Sequence, residues 1–354
     1  MNIVKMNSKN TSKILTLATT LFMSCCQQLA AQQVGLWYDT ELQILPSGKS
    51  NHVNLLYLSA DYACNEHIRL SGATISIAKT RDESLVDDLQ TFSNIEADNV
   101  PLTLALACVG WMPSERHSFY FGIRNVNEDY FISPVTSLFT NSSCGFFPTI
   151  GCNLPIANYP LASVGVHYAY SAPWGNLQAS VYNGRGYQDF GGRENLWRVA
   201  PASDGVFLMA QADMTHGGQS YYLGASHHSG IRQSSASGAE RLASSQSVLW
   251  AYTEQQLTPR VALIASLSHA FGRDCLCTDF VGLGAQYQRG RTTLGLFTDY
   301  ARFADDKEWA TELIVSHDVL PGVSLQAACH LIAHDGFHPV GLLRVSVRLP
   351  HDKW

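Results

Sequence analysis

Along "VGLLRVSVRL", near the end of the chain, Arg344 and Arg348 alternate with Leu343, Val345, Val347 and Leu349. Successive side chains of an extended strand point to opposite faces, so both guanidiniums share one face and the aliphatic residues share the other. The pattern recurs. In "HSFYFGIRN", Arg124 opposes Phe119, Phe121 and Ile123; in "TTLGLFTDY", Asp299 opposes Leu294, Leu296 and Tyr300; in "VSLQAACHL", Gln326 and His330 oppose Val323, Leu325, Ala327 and Leu331. Glu128, Asp129 and Glu312 complete the set. These groups suit recognition rather than bond-making: Arg, Asp, Glu and Gln present planar arrays of donors and acceptors that match hydroxyls. Opposite charges facing each other across a narrow aqueous gap also rank solutes by polarity.

Other constellations carry less. Cys275 and Cys277 in "DCLC" lie beside Asp274 and Asp279, but two thiols do not close a tetrahedral metal site. His227 and His228 are neighbours on a strand and diverge, so with His216 they make no metal site either. A serine hydrolase needs a serine bonded to an oriented histidine, and in "SLSHAF" alternation sends Ser268 and His269 to opposite faces. No catalytic residue, cofactor or metal is therefore expected.

The first 31 residues read as an address label. Lys5, Lys9 and Lys13 precede an apolar run, Ile14 to Cys26, and "QQLAAQQ" supplies small Ala30 and Ala31 at a cleavage point. A lipoprotein reading of "LFMSC", with Ser24 before Cys25, fits less well because of Phe22 and Met23. The run is too short to cross a bilayer as a helix. Cleavage leaves 32–354 as one domain, moves the net charge from −6 to −9 and reduces nine cysteines to seven. A chain this acidic is a poor partner for nucleic acid. Seven scattered cysteines are not a disulfide framework. Cys144 and Cys152 alone make a candidate bridge, within a Gly/Pro-rich loop of an exported protein.

Stepping along 32–354, sixteen alternating segments appear, the first over 35–45 and the last over 338–349. Every second joint is very short ("NEH", "PSER", "HGGQ", "LTP"), while 81–101, 128–162, 187–203 and 230–245 are long. Short turns at one end and long loops at the other predict an all-β, closed antiparallel transmembrane barrel of about 16 strands. Only closure pairs every backbone group within hydrocarbon. Sixteen strands enclose more volume than their own side chains fill, so the apolar face belongs in lipid and the polar face lines a water-filled lumen. An arginine on the lipid side would cost about 2–4 kcal/mol near the midplane. This parity turns Arg124, His167, Gln178, Gln211, Asp213, Gln286, Asp299, Glu312, Gln326, His330, Arg344 and Arg348 inward. Trp37, Tyr38, Trp111, Trp250 and Tyr252 are expected in interfacial girdles. Loop 128–162 is the candidate constriction loop, and 81–101 carries a helix-like patch, Leu85, Leu89 and Phe92, able to dip into the lumen.

The stretch 92–186, with "FSNIEA", "FYFGIRNVNEDYFISPVTSLFTNSSCGFFPT", "NYPLASVGVHY" and "QASVYNGRGY", resembles the carbohydrate-selective porins of the OprB type. So do "YTEQQL" at 252–257, "GLGAQYQRGR" at 282–291, "EWATELIVSHDVLPGVSLQAACHLI" at 308–332 and "GLLRVSVRL" at 341–349. The resemblance implies a 16-stranded channel in the outer membrane of a Gram-negative-type bacterium, passing sugars down their gradient. Its partners would be small solutes, outer-membrane lipid, the barrel-assembly machinery and, where barrels associate, further copies of the chain. Two features depart from the family. The chain is short for it, so loops are trimmed and the constriction is wider or differently built; and "PHDKW" follows Leu349, leaving Trp354 as the terminal aromatic.

Overall fold

The computed structural model describes residues 33–234 and 240–349; the address label and Trp354 lie outside the described residues. Sixteen antiparallel strands close into one barrel. They are β1 (Gln33–Ile44), β2 (Ser50–Ala63), β3 (Ile68–Lys79), β4 (Val100–Ser114), β5 (His117–Arg124), β6 (Ser163–Ala172), β7 (Gly175–Asn183), β8 (Val206–His216), β9 (Gln219–His228), β12 (Gln246–Thr258), β13 (Val261–Phe271), β14 (Cys277–Arg289), β15 (Thr292–Phe303), β16 (Lys307–Leu320), β17 (Val323–Ala333) and β18 (Phe337–Leu349). A separate hairpin, β10 (Ile231–Ser234) with β11 (Glu240–Ala243), stands in the loop between β9 and β12. No helix among the described residues is long and apolar enough to cross a membrane, which leaves a strand-built crossing open.

Each barrel strand pairs with the next barrel strand along the chain, β9 with β12 across the separate hairpin, and β1 closes on β18 in the register Trp37↔Arg348, Asp39↔Ser346 and Glu41↔Arg344. One barrel end carries joints of two to four residues; at 321–322, Pro321 fixes one dihedral and Gly322 takes φ 75°, the turn chemistry a tight reversal demands. The other end carries loops 80–99, 125–162 and 184–205.

Alternation decides which side meets what. On β18, Leu343 is 54% exposed on the outer face while Arg344 is 5% exposed within. On β16, Leu313 is 58% exposed and Glu312 0%. An apolar belt of this extent belongs against hydrocarbon rather than water. Not all aromatics join it. Trp111 and Phe119 stack at 5.3 Å on the outside, but Trp37 points inward, and Trp250 and Tyr252 are buried within the barrel. At the long-loop end Leu196, from loop 184–205, folds over the outer face and buries Ile123.

The lumen itself departs from a simple water-filled tube. Loops 80–99 and 125–162 fold inward, and their apolar side chains bury the inner wall of the long-loop half. Phe131 sits 5.4 Å from Trp250, Phe139 5.4 Å from Phe297, and Phe147 5.1 Å from Phe280, ring centre to ring centre. On the opposite wall Ile95 and Tyr159 cover Val53, Leu55, Ile75 and Ile77. The volume that sixteen strands cannot fill is thus filled by loops. Segment 81–101 does enter the lumen, but without a helix: Leu85, Val86, Phe92 and Ile95 are buried along an irregular path and Leu89 is half-buried.

Candidate functional site

Arg124, Glu128, Asp129, Asp299, Glu312, Gln326, Arg344 and Arg348 stand on the inner face or on the inward-folded loop, and the structure sorts them into three groups. The first anchors loops. Glu312 accepts hydrogen bonds from the Thr140 backbone N–H at 2.9 Å, the Thr140 hydroxyl at 2.7 Å and the Asn141 N–H at 3.0 Å. Asp299 accepts from Asn141 Nδ2 at 2.7 Å and from Gln90 Nε2 at 2.9 Å. Both carboxylates are buried, so they do not face open solvent; they replace its hydrogen bonds with donors from loops 125–162 and 80–99. Arg344 works likewise, donating to Glu41 at 2.7 Å through Nε and to Asn94 Oδ1 at 2.8 Å through Nη2.

The second group is a charged knot where loop 125–162 leaves β5. Arg124 Nη2 pairs with Asp129 Oδ1 at 2.5 Å and its guanidinium carbon lies 4.6 Å over the Tyr120 ring. His167 Nδ1 lies 3.5 Å from Asp129 Oδ2. Tyr57 donates to Glu128 Oε1 at 2.9 Å, and burial pushes the Glu128 carboxyl up to about 7, against the pull of Arg124. Two residues beyond Asp129, Phe131 takes φ 61°, a conformation a bulky residue rarely adopts. Its ring is held between Phe146, Phe147 and Trp250, and the next residue, Ile132, stays 58% exposed.

The third group stands toward the short-turn end, where the inner face is half-buried rather than buried. Gln326 is half-buried and donates to the Leu138 carbonyl at 3.0 Å. The Arg348 side chain is 35% exposed, with its guanidinium carbon 4.7 Å over the Trp37 ring. Gln178, Asp213 and Gln286 share this half-buried zone.

Cys144 and Cys152 are not bridged; both are free thiols. The intervening chain forms two helical turns, Ser142–Gly145 and Pro148–Gly151, which send the two thiols apart. Cys144 turns to a pocket with Phe131, Tyr252 and Ile264, and Cys152 toward the Leu89 carbonyl at 3.8 Å. Ser268 bonds Thr149 at 2.6 Å, whereas His269 bonds Asp279 at 2.7 Å on the outer face. His228 faces inward to the Gly184 carbonyl, and His227 bonds Ser247.

Asp39, Glu41, Glu254 and Glu308 escaped the sequence reading although the same signal marks them. In "WYDTELQ" the residues Trp37, Asp39, Glu41 and Gln43 stand two apart, and all turn inward beside Arg344 and Arg348. Reading Trp37 as an interfacial girdle residue hid that register.

No family model matches the sequence, and no curated protein matches it. Solved structures do. The chain is similar to a high-pH structure of OprB from Pseudomonas putida, with a TM-score of 0.72 and 13% identity over 90% of this chain and 94% of that one. It is similar to the trimer form of the outer-membrane protein OmpT of Vibrio cholerae, with a TM-score of 0.57 and 11% identity over 89% and 98%. A mutant porin of Rh. blastica aligns with a TM-score of 0.57 and 9% identity over 90% and 99%. The chain has the closed 16-strand barrel fold of porins. At such identities the likeness speaks for the fold and not for the solute.

Proposed function

We propose that the protein is an outer-membrane porin that lets small hydrophilic solutes diffuse passively through its barrel, with a preference for carbohydrates. The observation that carries the reading is the inside-out distribution of charge: a lipid-matching belt outside, and Arg124, Asp129, Asp299, Glu312, Arg344 and Arg348 turned to the inner side. Planar donors and acceptors stand along the inner face beside the two inward loops, the chemistry that hydroxyl-rich solutes require. Sugar preference rests on the sequence resemblance to the OprB type. With the long loops outside and the short turns in the periplasm, the half-buried zone around Arg348 and Gln326 is a periplasmic vestibule. Lipid surrounds the belt, the barrel-assembly machinery inserts the chain, and association into oligomers has a parallel in the trimer form of OmpT.

A second reading has its own support. The packing of Phe131, Phe139 and Phe147 onto the wall also suits a plugged barrel serving as a surface receptor or scaffold. Reconstitution into planar bilayers separates the two, since a porin shows stepwise conductance and a plugged scaffold passes no current. Liposome swelling then tests selectivity: sugars are expected to enter faster than amino acids of equal size, and equal rates would leave a general porin.

A further inference from the structure

The seam between β1 and β18 holds an unfinished hydrogen-bond set. Asp39 is wholly buried, yet neither of its carboxylate oxygens accepts a hydrogen bond, and beside it the Trp37 indole N–H is buried without a partner. The nearest donors are Arg348 Nη2 at 3.8 Å and Arg344 Nη1 at 4.0 Å. Those spans exceed a direct hydrogen bond and match one bridged by a single hydroxyl. Arg344 is already committed to Glu41 and Asn94, whereas the Arg348 tip is partly open to the vestibule. Register explains the grouping: Trp37 lies opposite both Arg348 and Tyr57, and Asp39 opposite Ser346, diagonal to both arginines.

We propose that Trp37, Asp39 and Arg348 form a solute subsite for a neutral polyhydroxyl compound. This rests on the reading of the barrel as a solute channel and names the residues that select. One hydroxyl of the solute accepts from Arg348 and donates to Asp39; a second accepts from the Trp37 indole N–H. The carboxylates Asp39 and Glu41 and the guanidiniums Arg344 and Arg348 balance in charge. An anion would meet the two carboxylates and a cation the two guanidiniums, each losing hydration without net attraction. A hydroxylated neutral solute completes the missing hydrogen bonds at no such cost.

The test uses the full chain in detergent and in liposomes, with glucose as probe and glutamine as the comparison solute. Glucose is expected to cause a saturable change in tryptophan emission that disappears in Trp37→Phe. Its Kd should rise about fivefold or more in Asp39→Asn and Arg348→Gln, the loss of roughly one hydrogen bond each. Swelling with glucose should slow in both variants while swelling with glutamine holds. Arg348→Lys, which keeps the charge and loses the fork, should fall between wild type and Arg348→Gln. An identical titration in wild type and Trp37→Phe, or an Asp39→Asn variant of unchanged Kd, would overturn the subsite and leave the carboxylate holding water alone. If no solute enters wild-type liposomes, the channel reading fails, and the emission titration still decides the subsite.

Discussion

One strand displays both halves of the barrel. Along β16 the inward residues Glu308, Ala310, Glu312 and Ile314 are buried, Ser316 is half-buried and Asp318 is exposed. The wall is the same and the alternation is the same, yet the long-loop half is packed like a protein interior while the short-turn half is wet. What differs is the cover. Loops 80–99 and 125–162 cover the first half, where Asp299, Glu308 and Glu312 have traded water for loop donors. Lumen-facing charges thus differ with depth: Asp299, Glu308 and Glu312 anchor loops in the covered half, while the Arg348 side chain stays partly exposed toward the short-turn end.

Glu312 and Gln326 offer the sharpest way to break that distinction. Glu312→Ala strips partners from two buried backbone N–H groups, Thr140 and Asn141, at a cost of about 2–5 kcal/mol. Loop 125–162 should loosen, with faster amide exchange at Thr140 and Asn141 and a larger single-channel conductance. Gln326→Ala removes one half-buried bond to Leu138, worth about 1 kcal/mol or less, and should leave conductance close to wild type. Equal effects of the two substitutions would show that depth does not matter.

Packing gives the second, smaller test. A Cβ added at Gly224 on the inner face of β9 would lie 2.1 Å from Trp250 Cε2 and Cζ2, so Gly224 is what lets the indole lie against the wall and donate to Gln211 at 3.1 Å. Gly224→Ala should push the ring onto Phe131 and cost about 1–3 kcal/mol. At Gly72, the nearest atom to such a Cβ is the Leu106 carbonyl at 3.9 Å, and Gly72→Ala should be close to neutral. Thermal unfolding midpoints in detergent compare them directly.

The sequence made the wall legible because a strand writes its orientation with period two. The same rule that turned Arg344 inward would have turned Asp39 and Glu41 inward. Joint lengths marked which end bears loops, and "EDYF" began the loop that enters the lumen. What the loops do inside was not legible. Phe139, Phe147 and Ile150 follow no period, so nothing local says that they face Phe297 and Phe280; those partners lie more than a hundred residues away. Cys144 and Cys152 looked close because chain separation is a poor guide once two helical turns intervene. Segment 81–101 shows the reverse case: the apolar spacing of Leu85, Leu89 and Phe92 suggested a helix, whereas burial alone explains two of the three.

The mildest test changes no residue. Burial pushes the carboxyls of Glu128 and Asp88 each up to about 7, with Glu308 adding to the effect on Asp88. His334 is also raised, because its Nδ1 bonds the Asp87 carbonyl at 3.0 Å and its Nε2 lies 2.7 Å from Asp306 Oδ2. All three hold their protons more tightly in the folded loops than in an unfolded chain. The stability they contribute is therefore present in acid and lost as pH rises, through about 7 for the two carboxyls and above 6.5 for the imidazole. Asp306, held below its ordinary range by the Lys307 N–H and His334, acts the opposite way, but only near and below 3.8. Between pH 5 and 8 the inward loops should consequently loosen with base. Conductance should rise across that interval, and amide exchange over 84–96 and 126–131 should accelerate beyond its intrinsic base dependence. Glu128→Gln should remove the carboxylate's share of the change, and His334→Gln should weaken the hold on loop 80–99 already at pH 5. A conductance that stays flat from pH 5 to 8 would mean that the two loops are fixed by apolar packing alone, with the polar anchors adding nothing that a proton can undo.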